Sequence, residues 1–416
     1  MDEVGEDVLS ERQRDEIIVP LRAGVVPRVG LEHFQVGRGE EMRSLSHDIT
    51  KVAQGGVSFR IVSGAVGSGK TFIGQSISSQ ARLQGLVVST VDLNPRLRLA
   101  GGKGQSRDLY REMVRNLSTR TRSGGLALSN IVERFVFSAI RLAHERACSP
   151  TEVIEEQLRD FEELTGGFDF IEVIRSYWQG LESANETLKQ DALAWLQAKF
   201  SRLSDAKKCL NVRSVVDDKN YFDVIKMLAH FIRLAGYKGL LLNIDETALI
   251  TQLPAPARNK EYEQLLFILN DLMQGSCEGL AIILYATPSL MNDPKRGVPS
   301  HSALYSRLSP NPFVESGWQD FSGPVLALAA LSGDEIVQLL FKLRDVFSYG
   351  DVKRHVLDDE GVYEFIETYL LAQFGEGQNT RGAIRLFLDY LAVREFNRNR
   401  PVTVPIHHQR VIAEIF

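Results

Sequence analysis

Residues 60–81, RIVSGAVGSGKTFIGQSISSQA, carry the reading that decides the fold. A short apolar run, Ile61 and Val62, leads into Gly64-Ala65-Val66-Gly67-Ser68-Gly69-Lys70-Thr71. An amphipathic helical pattern follows, with Phe72, Ile73, Ile77 and Ala81 on or near one face. Strand, glycine-rich loop and helix in that order, with Lys-Thr closing the loop, make a P-loop nucleotide site. Gly64, Gly67 and Gly69 let the backbone turn tightly, so that successive N–H groups point at phosphate oxygens. The helix that begins near Lys70 offers the positive end of its dipole to the same phosphates. Lys70 neutralises the β and γ phosphates, and the Thr71 hydroxyl can ligate magnesium, so the expected cofactors are ATP and Mg2+. The alternative is a Gly-rich turn that carries Lys-Thr by coincidence. The full spacing in its strand–loop–helix context argues against it.

Around this stretch, the 416 residues leave room for two or three domains. Hydrophobic content of 44% and charged content of 24% describe an ordinary soluble globular protein. A net charge of -5 gives no global attraction to nucleic acid, so any such binding comes from a local patch. Cys148, Cys209 and Cys277 form no CxxC pair and read as small buried hydrophobes in a reducing compartment. No apolar run has the length of a membrane span. The opening residues MDEVGEDVLSERQRDE are acidic and lack an apolar signal core. A cytoplasmic protein without membrane contact is expected.

Upstream of the loop, residues 1–15 read as a solvated tail or frayed helix. Apolar content begins at Ile17, and Gly24, Pro27 and Gly30 break it into an extended arm. Downstream, residues 86–93 (LVVSTVDL) read as a second buried strand. Next comes a basic stretch with Arg96, Arg98, Lys103, Arg107, Arg111, Arg115, Arg120 and Arg122 against only Asp108 and Glu112. It is either a solvated helix face or a contact surface for a DNA backbone. Tyr110 is its lone aromatic, a poor interleaving for base stacking. Gly101-Gly102-Lys103-Gly104 within it reads as a mobile loop. Residues 126–235 carry apolar side chains at three- and four-residue spacing, an all-helical block whose Phe135, Phe161, Trp178, Trp195 and Phe222 read as core. Residues 239–246, GLLLNIDE, are an apolar strand ending in Asp-Glu, as a Walker B site requires. Asp245 then holds magnesium through its water shell, and Glu246 polarises the attacking water as general base. The strand of residues 279–286 ends at Thr287, the place of a polar sensor-one residue. Ser332-Gly333-Asp334-Glu335 is a capping box that opens a small helical lid.

The order of these parts resembles an AAA+ ATPase. Val36-Gly37-Arg38, ahead of the loop, is similar to the segment that packs on adenine in origin-recognition-type and STAND-type members. Arg307, after a short helix, resembles an arginine finger that reaches a neighbouring subunit's γ-phosphate, and a surface salt bridge is the other reading. Arg381 stands where a sensor-two arginine would, with Arg385 one turn later on the same face. Thr380 precedes Arg381 where the family often has proline. Within that class the chain resembles the ATP-binding proteins of bacterial BREX-type phage-defence loci, on the stretches LRAGVVPRVGLEHFQVGR, IVSGAVGSGKT, VVSTVDLN, DALAWL, LAGYKGLLLNIDE, LYATPSLMND, ALYSRL and NTRGAIRLFLDYL. These extend from about residue 20 to residue 395.

The fold expected is α/β: a P-loop AAA+ nucleotide domain with a parallel sheet over residues 31–330, preceded by a tail and arm over 1–30. An all-helical insertion spans about 100–235, and a small C-terminal helical lid spans 331–416. The nucleotide site would comprise Val36, Gly37, Arg38, Gly64, Ala65, Val66, Gly67, Ser68, Gly69, Lys70, Thr71 and Phe72. Thr71 and Asp245 would serve the metal, and Glu246, Thr287, Arg307 and Arg381 the hydrolysis of ATP to ADP and phosphate. The resemblance implies a self-assembling ring or filament working on DNA with other defence proteins. The alternative function is a STAND-like or initiator-like ATP switch that recruits an effector with little turnover. No cluster of His, Asp and Glu suggests a second metal site, and His407-His408 has no acidic neighbour.

Overall fold

The computed structural model describes residues 8–275, 277–316, 320–371 and 380–397. His407 and His408 lie outside them. In chain order the elements are helix α1 (Glu11–Arg22), helix α2 (Gly39–Ala53), strand β1 (Val57–Gly64), helix α3 (Lys70–Leu83) and strand β2 (Val87–Asp92). Seven α-helices follow before the next strand: α4 (Gln105–Arg115), α5 (Leu128–Arg146), α6 (Pro150–Gln157), α7 (Gly167–Glu182), α8 (Glu186–Leu196), α9 (Leu203–Cys209) and α10 (Tyr221–Leu234). Then come β3 (Leu240–Asp245), α11 (Leu249–Gln252), α12 (Ala255–Met273), β4 (Leu280–Ala286), α13 (Pro288–Asn292), α14 (Ser302–Leu308) and β5 (Val325–Leu328). Helices α15 (Gly333–Phe347), α16 (Asp359–Phe365) and α17 (Thr380–Phe396) end the described chain, with a π-helical run Ile366–Leu371 continuing α16. The architecture is α/β, as the apolar runs and helical patterns indicate.

The chain forms two compact units. A loop unit contains Met1–Met42, Gly64–Ser76 and Ala327–Phe416, and a sheet unit contains Arg43–Ser63 and Ile77–Leu326. The chain crosses between them four times.

In the sheet unit the strand order is β2-β3-β4-β1-β5. β2 with β3, β3 with β4, and β4 with β1 pair in parallel, through partners such as Asp92↔Asp245, Ile244↔Leu284 and Ser63↔Ala286. Parallel strands are covered on both faces, which is why LLLNID and LAIILYA read as runs rather than alternations. The helices between β2 and β3 share the sheet's apolar core. The aromatic side chains expected to be core (Phe135, Phe161, Trp178, Trp195 and Phe222) are all buried. Phe231 meets Phe135 in a tilted contact at 4.8 Å and Phe170 edge to face at 5.4 Å, away from the face-to-face sandwich that aromatic quadrupoles disfavour.

The loop unit has its own core. Ile17, Ile18 and Leu21 of α1 pack with Leu339, Leu340 and Leu343 of α15, Phe365 of α16, and Phe387, Leu388 and Leu391 of α17. Residues 11–22 form a helix because Ser10 and Gln13 make a reciprocal capping box and the apolar side chains recur at helical spacing. The Ser332–Glu335 capping box opens α15, as SGDE predicts. No described helix is long and apolar enough to cross a membrane.

Candidate functional site

The loop unit holds the glycine-rich segment. β1 ends at Gly64, and the chain turns through residues 65–69 before α3 begins at Lys70. Gly67 and Gly69 have φ of 83° and 94°, in the left-handed region where a Cβ is strained. The Lys70 ammonium donates to the carbonyls of Gly64 at 2.7 Å and Ala65 at 2.8 Å. Thr71 is exposed in the first turn of α3. The Ser68 hydroxyl is buried with no hydrogen-bond partner among the described residues. Leaving such a group unsatisfied costs about 1–3 kcal/mol. An ammonium, an exposed hydroxyl, an orphaned hydroxyl and the first N–H groups of a 14-residue helix form a donor set without an acid. That set fits a polyphosphate.

The segment ahead of α2 braces this loop. Arg38 is buried, and its Nη2 donates to the carbonyls of Ser68 at 2.9 Å and Ala329 at 2.7 Å. Its Nη1 pairs with Glu41 at 3.2 Å. Gly37, at φ 65°, lies so close to Glu335 that a Cβ would stand 2.2 Å from Oε1. Val36 and Phe72 pack against the unit's apolar core, and Phe72 meets Phe34 edge to face at 5.6 Å. Arg381 and Arg385 both run beside Gly24, just past α1. Arg381 is exposed, whereas the Arg385 Nε is buried without a partner among the described residues.

The sheet unit holds the acidic residues. Asp245 closes β3, and the Glu246 N–H donates to the Asp245 carboxylate at 2.8 Å. Glu246 is exposed and has φ 56°. Thr287 follows β4, with its hydroxyl 2.7 Å from that of Ser289. Since β3 and β4 are neighbours and β4 lies next to β1, Asp245, Glu246 and Thr287 gather at the carboxyl edge of the sheet. Arg307 does not join them. It is exposed, donates from Nε to Asn270 at 2.7 Å, and lines a cleft of about 450 Å³ with Lys51 and Arg60 beside the first half of β1.

A polar ladder that sequence reasoning passed over lies under this edge. The Tyr285 hydroxyl donates to Asn243 Oδ1 at 2.8 Å, and Asn243 Nδ2 donates to Ser78 at 2.9 Å. The Thr247 hydroxyl donates to the Tyr285 carbonyl at 2.7 Å. Burial foremost, then the charge of Asp245, pushes the Tyr285 hydroxyl far above its ordinary titration range. Its signal in the sequence is Asn243, a polar residue inside an apolar run.

The basic stretch is largely engaged within its own unit. Arg98 pairs at 2.8 Å with Glu261, which also accepts from the N–H groups of Leu99 and Ala100. Burial raises the Glu261 carboxyl despite that arginine. Arg107 and Arg111 share Asp108 at 3.0 and 3.3 Å, and Arg115 meets Glu112 at 3.2 Å. The loop of residues 101–104, expected to be mobile, is tied at three of its N–H groups: Gly101 donates to the Ser106 hydroxyl, Gly102 to Gln105 Oε1 and Gly104 to the Asp218 carboxylate. Tyr110 is buried and donates to the Leu196 carbonyl, so it is closed to stacking. Among the described residues no group of three or more His, Cys, Asp or Glu could hold a metal ion.

The sequence matches a protein family described as BREX system ATP-binding protein BrxC/D over residues 9–409. No curated protein matches the chain.

Proposed function

The chain belongs to the BREX system ATP-binding protein family BrxC/D, and from that premise we propose that it binds MgATP on residues 64–71 and hydrolyses it. The family makes it an ATP-binding protein of a phage-defence system that works with other proteins of that system. The observation that carries the finer reading is the loop before α3. Its lysine is folded over the loop's own carbonyls, and its Ser68 hydroxyl is buried without a partner among the described residues.

In this reading Lys70 and the first N–H groups of α3 bind the phosphates. Thr71 and Asp245 hold magnesium, which neutralises phosphate charge. Glu246 takes a proton from the attacking water, and Thr287 orients that water. Arg307 serves a neighbouring subunit, consistent with its place at the amino end of β1. Arg381 serves its own nucleotide, with Arg385 as the other candidate. The protein acts as a ring or filament on DNA with its defence partners.

The test compares Lys70→Ala and Glu246→Gln with the parent protein. Lys70→Ala is expected to lose ATP binding by equilibrium titration. Glu246→Gln is expected to keep it while turnover falls about a hundredfold or more, the scale of a lost general base. Unchanged ATP affinity in Lys70→Ala would sink the binding site. If Glu246→Gln matches a parent that turns over only slowly, the protein is instead a STAND-like or initiator-like ATP switch.

A further inference from the structure

Glu246 occupies the left-handed region although it carries a side chain, with φ 56°. Other described non-glycine residues with positive φ have ordinary reasons. Ala147, Ala184, Ala198 and Tyr349 lie just past the ends of α5, α7, α8 and α15, where such a turn closes a helix, and Lys103 and Leu126 lie in loops. Among them, Glu246 is the one that directly follows a strand. A strained backbone persists only where its surroundings impose it.

The imposing contacts can be named. Thr247 is fully buried, and its hydroxyl is fixed on the Tyr285 carbonyl of the adjacent strand. Two residues before Asp245, Asn243 accepts from the Tyr285 hydroxyl. One residue of β4 therefore grips β3 on both sides of Asp245 and Glu246, with its side chain before the pair and its carbonyl after it. The backbone turn then closes through Leu249 N–H to the Glu246 carbonyl at 3.1 Å.

We propose that Thr247 is a positioning residue. Its hydroxyl latch on Tyr285 holds Glu246 in the left-handed conformation and so sets the direction in which the carboxylate leaves the strand. The bond from the Tyr285 hydroxyl to Asn243 Oδ1 is the second anchor. The proposal rests on the reading of Glu246 as general base, and a second measurement separates the two.

Thr247→Val keeps the side-chain shape and removes the donor, whereas Thr247→Ser keeps the donor. In Thr247→Val, kcat for ATP is expected to fall about ten- to a hundredfold, the scale of a misplaced catalytic group. KM and the affinity for a non-hydrolysable ATP analogue should stay at parent values, and Thr247→Ser should restore kcat. Parent turnover in Thr247→Val, or loss of binding together with turnover, would overturn the latch. Independently of turnover, Glu246→Gly is placed in the parent and in Thr247→Val. If the latch imposes the strain, glycine raises Tm by about 2 °C more in the parent than in the variant. Equal effects in both overturn it. Should Glu246→Gln hydrolyse ATP at the parent rate, the general-base reading fails, and this melting comparison still decides the latch.

Discussion

Arg38 binds no partner through charge alone: its guanidinium spans a carboxylate and two backbone carbonyls, one of them on the glycine-rich loop itself. Read from the sequence, Val36-Gly37-Arg38 is a nucleotide-contacting segment, and its residue types were legible there. The carbonyls of Ser68 and Ala329 were not, because they come from positions 30 and 291 residues away. Removing one member of a buried ion pair typically costs about 3 kcal/mol. Arg38→Met should therefore lower stability by that order and weaken ATP binding through a slackened loop. Denaturant titration and nucleotide affinity, measured together, check it, and unchanged values in both would reduce Arg38 to an ornament of the fold. Glu246 shows a similar limit. Its Asp-Glu context was plain in GLLLNIDE, but a left-handed backbone at a glutamate has no signature in residue type.

The buried strands were the most legible elements. LLLNID and LAIILYA are apolar because both faces of a parallel sheet are covered. Charge is harder to read, since a run of arginines looks the same whether it faces solvent, DNA or its own acids. Here Asp108, Glu112 and Glu261 absorb much of it. Reversing Arg107, Arg111 and Arg115 to Glu tests what remains. If α4 carries DNA, affinity falls and the dependence of binding on salt becomes shallower. If both stay at parent values, α4 is a solvated face. Helix α10 carries a pH dependence. His230 packs edge-on to Phe161 at 5.0 Å, and burial lowers its pKa below the ordinary 6.5, with Arg233 adding to the effect against Glu278 and Asp160. The native state thus binds fewer protons than the unfolded chain. The contribution of His230 is complete above about pH 6.5 and is lost as pH falls through its lowered native pKa. Denaturation midpoints taken between pH 7 and 5 should decline less steeply in His230→Leu than in the parent.

At the scale of the molecule, assembly is the property that a single chain's residues address least directly. Glu246→Gln, holding ATP without consuming it, should give a larger particle by mass measurement with ATP than without. A monomer at saturating ATP would exclude nucleotide-driven self-association. The family was legible from the order of motifs, and the match over residues 9–409 agrees with it. The division into two units was not, because each is assembled from separated stretches whose pairing depends on tertiary packing. That interleaving bears on how the protein is made. The ribosome releases the glycine-rich loop early, whereas the α15 leucines that complete its core come about 270 residues later. At typical synthesis rates the delay is roughly 10–50 s. Through that interval Ile17, Ile18 and Leu21 have none of their final partners on α15, α16 and α17. A nascent chain halted before Leu339 carries the nucleotide motif without the core that supports it, so the earliest-made signature of the protein belongs to the part that is finished last.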